Sequence, residues 1–579
     1  MGRLRDNKTL ASATTRLERI KPASDWNTVD WRKTERNVRR LRGRIFRAEK
    51  KGDKRKVYLL QKLMLRSHSN RLSAVRRVAQ TNKGKNTPGV DRVIVKTPAE
   101  RGRLVDTLDK TGRVMPARRV WIPKKKNERR PLGIPVIRER AEQAVSKNAL
   151  EPQWEARFEG CSYGFRPGRG CHDALVLIHA RVRWGRMPYV LDADIKGAFD
   201  NINHDFLLNA IGDFPWKEKI RGWLKAGVME GLTYEPTETG TPQGGVISPL
   251  LANIALHGME RVLPQGRLVR YADDFVIFAK SRAEAEALRE LVVNWLAKRG
   301  LKLSEEKTAI RNVHDGFDFL GCTIRRFYTP GRKRVDRNRL FASPKEGYTT
   351  IIKPSKESVQ RLRSRLREIV RKYGSLPQAA LIPRLNPMLV GWANYFRPHA
   401  SKAIFGKVDA YLWQLLWRWA CRRHPNKGKY WIADRYWGQF APGRKDRWIF
   451  GCSTPDGRNI YLRRTAWIPI VRHEIVPKDF SRDDPALVEY WLKRAERRSQ
   501  KGALPFQRTL TVLQKGLCPV CGCEIDNDER VEIDHIIPRH KGGSNHVLNK
   551  QLLHYFCHQQ KTLREQRERR QKQTTDLFQ

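Results

Sequence analysis

The chain has 579 residues, and its 116 Lys and Arg against 60 Asp and Glu give a formal net charge of +56 at pH 7. This excess is too large to serve only for solubility, and it indicates a polyanionic partner such as nucleic acid. A hydrophobic content of 40% argues against global disorder, and the length predicts several domains.

The sequence does not indicate a membrane protein or a disulfide-rich one. No segment approaches the roughly 20 consecutive apolar residues of a membrane span, and the Arg-rich start lacks the apolar core of a signal peptide. The 9 cysteines are too few for a disulfide scaffold, and several cluster near the C-terminus, which indicates metal binding. We expect no membrane partner and a cytoplasmic location.

The first segment, 1–80, is predicted to be a basic helical extension. Val38, Leu41 and Ile45 recur at the spacing of one helix face, and Lys and Arg fill most of the intervening positions. The Gly- and Lys-rich stretch 82–91 then ends the helical pattern.

Two acidic motifs follow in predicted β-strands. The strand 189–195 places Asp192 and Asp194 on the same face, because side chains alternate along a strand. The tetrad Tyr-Ala-Asp-Asp at 271–274 lies between apolar runs and predicts a hairpin turn with adjacent carboxylates. Such a pair, with a third carboxylate, can hold two Mg²⁺ ions for nucleotidyl transfer. Asp192 and Asp194 are alternative candidates for the third ligand.

The order of the motifs resembles that of a reverse transcriptase. The matching blocks are Arg-Pro-Leu-Gly-Ile-Pro at 130–135, Ser-Tyr-Gly-Phe-Arg-Pro at 162–167, Asp-Ile-Lys-Gly-Ala-Phe-Asp at 194–200, and Gly-Thr-Pro-Gln-Gly-Gly at 240–245. The resemblance implies a palm-and-fingers polymerase over 81–345, in which Mg²⁺ is bound by Asp194, Asp273 and Asp274.

The same resemblance implies the residues that bind the incoming dNTP. Arg130 would contact the triphosphate, and Phe199 would exclude a ribose 2′-hydroxyl. Gln243 would lie beside the nucleotide, and Lys307 would protonate the departing pyrophosphate as a general acid.

A helical region, 346–429, is predicted after the polymerase core. Within 354–374, Leu362 and Leu366 lie on one face of a basic helix, which is typical of a thumb helix along template and primer. The block at 385–397 resembles the maturase domain, or domain X, of group II intron-encoded proteins. It implies a group II intron RNA as partner, with aromatic residues in the core and basic residues facing the RNA.

In the segment 430–505, short runs of aromatic and branched residues predict short strands, and the basic stretch after them predicts a helix. By its position after the maturase block, the resemblance to group II intron-encoded proteins implies a linker that binds the target DNA.

The last segment, 506–579, contains two pairs of metal-ligating residues. Each pair has two residues between its members, as in tetrahedral Zn²⁺ sites, and the four candidate ligands are Cys518, Cys521, His554 and Cys557. Cys523 is an alternative ligand.

Between these pairs, the residues resemble an HNH nuclease motif. In that motif, His535 would deprotonate water, and Asp534 with His558 would hold Mg²⁺ or another divalent ion at the scissile phosphate. Asn549 would orient the loop that carries His535. The Zn²⁺ would have a structural role.

Together the blocks resemble a group II intron-encoded protein over about 26–561. The implied fold is α+β: a right-hand palm and fingers, a helical thumb and maturase domain, and a small zinc-stabilised ββα-metal module. Such a protein binds intron RNA, assists splicing, nicks target DNA and performs target-primed reverse transcription. The resemblance also implies a bacterial protein that is nucleoid-associated in function, with an organellar origin left open. Two alternatives stay open, a non-mobile RNA-binding splicing factor and a reverse transcriptase of a diversity-generating or defence system.

Overall fold

The computed structural model describes residues 26–108, 114–123, 129–328, 347–455, 457–502, 505–525 and 531–577. The first 25 residues of the predicted extension and residues 329–346, near the predicted boundary between palm and thumb, lie outside the described residues. The predicted α+β class is confirmed. Within the described ranges, no helix combines the length and the apolar character needed to cross a bilayer.

The N-terminal part is helical, as predicted from its apolar spacing. Side-chain oxygens of Asp30 and Asp53 accept hydrogen bonds from backbone N–H groups and so cap the first two helices. The buried faces of these helices pack together and against a central helix of the polymerase core. The helices are α1 (Trp31–Lys50), α2 (Lys54–Arg66), α3 (His68–Arg76), α4 (Pro98–Thr107) and the central α5 (Ile137–Glu155).

A four-stranded sheet of order β2-β1-β4-β5 forms the fingers side of the polymerase core. Its antiparallel hairpin presents Arg130 opposite Ile122. The strands are β1 (Ala117–Pro123), β2 (Arg129–Ile134), β4 (Val228–Glu230) and β5 (Thr233–Glu235).

A second four-stranded sheet, which we call the palm sheet, has the order β6-β7-β3-β8. Phe275 to Ala279 are all buried, so the central strand is covered on both faces, and this explains its continuous apolar run. The strands are β3 (Tyr189–Asp194), β6 (Leu268–Tyr271), β7 (Asp274–Ala279) and β8 (Ala309–Asn312). The surrounding helices are α6 (Cys171–Val182), α7 (His204–Ile211), α8 (Lys217–Lys225), α9 (Ser248–Ala255) and α10 (Arg282–Ala297).

A three-stranded sheet leads from the palm into a helical domain. The strands are β9 (Phe317–Phe319), β10 (Cys322–Tyr328) and β11 (Tyr348–Pro354), and the helices are α11 (Lys356–Lys372), α12 (Gln378–Phe396), α13 (Lys402–Arg423) and α14 (Lys429–Tyr436). The predicted one-sided burial of α11 is confirmed, because Leu362 and Leu366 lie in the core between the helices.

The predicted short strands after this domain are also present. They are β12 (Trp437–Gly438), β13 (Ile449–Ser453) and β14 (Asn459–Tyr461). Trp437 and Phe450 join the buried core of the helical domain, so this sheet packs on it.

The C-terminal part has a ββα arrangement. Helices α15 (Val488–Gly502) and α16 (Pro505–Leu513) precede β15 (Val531–His535), β16 (Lys550–His554) and α17 (Tyr555–Leu577). The two strands are antiparallel, and Asp534 pairs with Gln551.

The packing of the helical domain can be tested at Leu366, which is fully buried. Replacement with Ala leaves a cavity, and we expect Leu366→Ala to lower the free energy of unfolding by about 2–5 kcal/mol. The control is Leu232→Ala, because Leu232 is 97% exposed. Denaturant unfolding followed by tryptophan fluorescence measures both variants, and equal midpoints would contradict the packing described.

Candidate functional site

The tetrad 271–274 forms a tight turn between β6 and β7. Tyr271 and Asp274 are register partners, so Ala272 and Asp273 form the tip. Ala272 has φ of +59°, in the left-handed region that residues with a Cβ seldom adopt. The turn therefore needs support from its surroundings.

Buried polar contacts supply this support. The Arg270 guanidinium is buried and donates to Oδ1 of Asn253 and to the Ala272 carbonyl, each at 3.2 Å. Asn253 donates to the Gly164 carbonyl at 2.8 Å. A Cβ at Gly164 would lie 2.3 Å from the Ala272 nitrogen, so only glycine fits there. We call Gly164, Asn253 and Arg270 the clamp on the 271–274 turn. The block at 162–167 was the sequence signal for Gly164, whereas the sequence analysis did not identify Arg270 and Asn253.

The structure brings Asp194, Asp273 and Asp274 together. Asp194 ends β3 as the register partner of Asp274. Partial burial of the turn, and then the like charges of Asp273 and Asp194, raise the pKa of Asp274 to about 7. Partial burial raises the pKa of Asp273 as well. Three crowded carboxylates fit divalent cations, because oxygen ligands suit Mg²⁺ and its charge relieves their repulsion.

The alternative ligand, Asp192, lies farther from the turn. It pairs with Val276 instead of Asp274. Its carboxylate lies 3.9 Å from the Arg311 guanidinium, and burial raises its pKa to about 6. The geometry therefore favours Asp194 over Asp192.

Two of the predicted cationic residues lie near the carboxylates. The Lys307 ammonium contacts Oδ2 of Asp194 directly. Arg130 is exposed on β2. Burial raises the pKa of Asp273, and the positive charge of Arg130 opposes part of this rise. Both cations can therefore reach an anionic ligand held over the turn.

The other two residues predicted to contact the incoming nucleotide, Phe199 and Gln243, lie beside each other. The Gln243 amide donates to both carboxylate oxygens of Asp200, at 3.1 and 3.0 Å. The ring of Phe199 meets that of Phe165 edge to face, with centroids 6.1 Å apart. Sequence reasoning missed Asp200 and Phe165. Their position inside the blocks at 194–200 and 162–167 was the available signal.

The predicted metal-ligating group near the C-terminus is assembled. Its ligand atoms all lie within 4.8 Å of one another and are buried, and they belong to Cys518, Cys521, His554 and Cys557. His554 Nδ1 lies 3.3 Å from Cys521 Sγ, while its Nε2 meets the Glu524 carbonyl at 3.1 Å. A proton on Nε2 leaves Nδ1 as the ligand atom, so the group fits Zn²⁺. Cys523 is outside the group.

The predicted nuclease residues lie on the ββα unit. His558 Nε2 is 3.5 Å from Oδ1 of Asp534, close enough for both to bind one cation. The ammonium of Lys561, which sequence reasoning missed, lies 2.5 Å from Oδ2 of Asp534. His535 Nε2 lies 2.9 Å from Oδ1 of Asn545.

Asn549 pins the loop after His535. Its side chain accepts from the Ile537 nitrogen at 2.9 Å and donates to the Ile537 carbonyl at 3.0 Å. It also donates to the Ser544 carbonyl at 2.8 Å. These hydrogen bonds connect Ile537 to Ser544 across the loop.

In comparisons with known proteins, four family profiles match successive parts of the chain. They are the N-terminal domain of reverse transcriptase at 26–108, reverse transcriptase (RNA-dependent DNA polymerase) at 122–324, the group II intron maturase-specific domain at 359–437, and HNH endonuclease at 518–564. The order agrees with that of the motifs.

Similar curated proteins include Protein YkfC of Escherichia coli (strain K12), which is 33% identical over 46% of this chain and 83% of YkfC. Group II intron-encoded protein LtrA of Lactococcus lactis subsp. cremoris is 32% identical over 42% of this chain and 53% of LtrA. Maturase-like protein 1 of Euglena gracilis is 27% identical over 63% of this chain and 76% of that protein.

The clamp on the turn can be tested at Gly164. We expect Gly164→Ala to displace the 271–274 turn and reduce nucleotidyl transfer at least about tenfold, because active-site misplacements near 1 Å cost that much or more. The control is Gly428→Ala, since a Cβ there meets nothing within 4 Å. Primer extension measures both, and wild-type activity of Gly164→Ala would refute the clamp.

Proposed function

We propose a function from the premise that this chain belongs to the family of group II intron-encoded proteins. The protein binds a group II intron RNA, assists its splicing, nicks one strand of a target DNA, and copies the RNA from the nicked end. The observation that carries the polymerase part is the convergence of Asp194, Asp273 and Asp274 at one end of the palm sheet.

At the polymerase site, the three carboxylates would hold two Mg²⁺ ions, and these would supply activation of the primer 3′-hydroxyl and charge stabilisation of the leaving pyrophosphate. Arg130 binds the triphosphate as a delocalised cation. Lys307, which is poised on Asp194, donates a proton to the pyrophosphate.

The sugar and base of the incoming dNTP would lie against the residues beside the turn. Phe199 forms the wall that excludes a ribose 2′-hydroxyl, and the Phe165 ring packs edge to face against it. Asp200 holds the Gln243 amide in one orientation next to the nucleotide.

The helical domain supplies the surface for intron RNA. Trp419 is buried in the core of the domain, so it is unavailable for stacking on bases. The cations Lys402, Lys407, Arg418 and Arg422 are exposed along α13. Exposed cations on a helix suit the phosphates of a folded RNA.

The segment 430–505 would contribute to binding of the target DNA. A cavity of about 520 Å³ lies between the end of α12, the stretch 471–474 and α15. Its lining is strongly basic and includes Arg397, Arg472, Arg494, Arg497 and Arg498. Several guanidinium groups around one cavity favour a phosphodiester backbone.

At the C-terminal module, the group of three cysteines and His554 would hold a structural Zn²⁺. Asp534 and His558 would hold Mg²⁺ or another divalent ion at the scissile phosphate, where such an ion stabilises the developing charge. His535 removes a proton from the attacking water, and Asn549 keeps its loop in place.

The two alternative functions are less well supported. A non-mobile splicing factor needs no polymerase carboxylates, yet all three are present and adjacent. A reverse transcriptase of a diversity-generating or defence system needs neither a maturase-specific domain nor an HNH domain, and both profiles match here.

Separate substitutions can test the assignment of two active sites. We expect Asp273→Asn to reduce cDNA synthesis on a primed RNA template at least about 1,000-fold, because the negative charge of a Mg²⁺ ligand is lost while its shape is kept. Splicing and DNA nicking should persist. His535→Ala should lose nicking and keep primer extension. Equal cDNA yields from the two variants would refute the assignment.

The basic cavity can be tested through salt dependence. The double variant Arg472→Gln, Arg497→Gln removes two exposed cations of the lining. We expect the slope of log affinity for duplex DNA against log salt to become shallower by about 1–2. The control is Arg282→Gln, Lys298→Gln, which removes exposed cations at the two ends of α10. An identical loss of slope in both would exclude a specific role for the cavity.

A further inference from the structure

We infer that Arg76 of the N-terminal helices is a positioning residue of the zinc site, and that this contact fixes the nuclease module on the polymerase. The inference rests on the structural Zn²⁺ proposed above. It adds that a residue of another domain completes the site. Side-chain contacts, and not only the linking peptide chain, therefore hold the nuclease module to the rest of the protein.

The contact joins distant parts of the chain. Arg76 Nη2 donates to Cys557 Sγ at 3.2 Å, although the two residues are 481 positions apart. The guanidinium stacks on the ring of Trp31 at 4.4 Å from its centroid, and Arg76 is only 9% exposed. Arg76 is therefore held by α1 and aimed at a sulfur atom of the C-terminal module.

The charge of the zinc site explains why a cation belongs there. Three thiolates and one neutral imidazole around Zn²⁺ leave one net negative charge. A buried net charge is costly unless an opposite charge or hydrogen bonds compensate it. Arg76 supplies both in one contact, because its guanidinium is always charged and donates to the thiolate. Outer hydrogen-bond partners of this kind tune metal affinity.

The packing around Arg76 is continuous between the two domains. The three cysteine ligands lie in the same buried core as Trp26 and Trp31. The rim adds polar contacts, because the Lys85 ammonium lies 4.6 Å from the Phe556 ring centroid and the Gln560 amide donates to the Asn27 carbonyl at 3.4 Å. A Cβ at Gly522 would lie 3.3 Å from Cγ of Arg32, so the zinc loop closely approaches α1.

The contact bears on the nuclease because the zinc ligands adjoin its active site. His554 ends β16, and Cys557 lies in the first turn of α17, directly before His558. A displacement of Cys557 would therefore move His558 away from Asp534. With Arg76 in place, the nuclease site keeps one orientation relative to the N-terminal helices, so the nick forms at a constant offset from the polymerase.

The experiment uses the full-length protein and compares Arg76→Met and Arg76→Lys with the control Arg40→Met. Arg40 is exposed on α1, so its replacement removes the same charge without touching the zinc site. Zinc release into excess chelator is followed with a colorimetric indicator. We expect Arg76→Met to release zinc about 10–100-fold faster than the control, with Arg76→Lys between them. Release rates that match the control would overturn the inference.

Two further measurements separate the outcomes. The first is the zinc content of the purified wild type. Absence of zinc refutes the zinc assignment itself, whereas bound zinc whose release is insensitive to Arg76 refutes only the inference.

The second measurement applies if Arg76→Met does not fold, and it is hydrogen exchange of the wild type. Chelation of zinc should then speed exchange in α1 and α3 as well as in the module, because coupling is reciprocal. Faster exchange confined to 518–558 would overturn the inference.

Discussion

The antiparallel pairing of β3 with β7 is the constraint on which the rest of the polymerase site depends. Because Asp194 lies opposite Asp274, the carboxylate that ends one strand meets the carboxylate that begins the next. A shift of the register by one residue would turn the strand over and point Asp194 to the other face. The fully buried run from Phe275 to Ala279 prevents such a shift, since it would break the packing on both faces of the sheet. Core packing thus positions the candidate metal ligands.

Charge compensation is the second organising theme. At the polymerase turn, partial burial and then the like charges of neighbouring carboxylates raise the pKa of Asp274 to about 7. The candidate zinc group gathers three cysteines and one histidine in a buried site, and Arg76 of another domain donates to Cys557 there. The chain carries a net charge of +56, so cations are abundant, and both candidate catalytic centres already have a lysine in contact with an acidic residue. Such sites are prepared for divalent ions and for phosphates.

Much of this arrangement could be predicted from local patterns. Alternation along a strand, the tight acidic turn and the paired spacing of cysteine and histidine each concern residues close in sequence, so they could be recognised without a structure. The alternation could not decide between Asp192 and Asp194, because both lie on one face, and the resemblance and the register were needed. Arg270, Asn253 and Arg76 act through tertiary contacts that have no sequence pattern of their own. Phe165 and Asp200 lay inside recognised blocks, but their partners are brought close only by folding.

The most direct test of the central claim is the position of the metals in the assembled polymerase. A structure with primer, template, incoming nucleotide and Mn²⁺, with the ions located by anomalous scattering, measures it. The account predicts two ions about 3.5–4 Å apart, bound by Asp194, Asp273 and Asp274. Ions bound at Asp192, or a nucleotide placed away from the 271–274 turn, would contradict it.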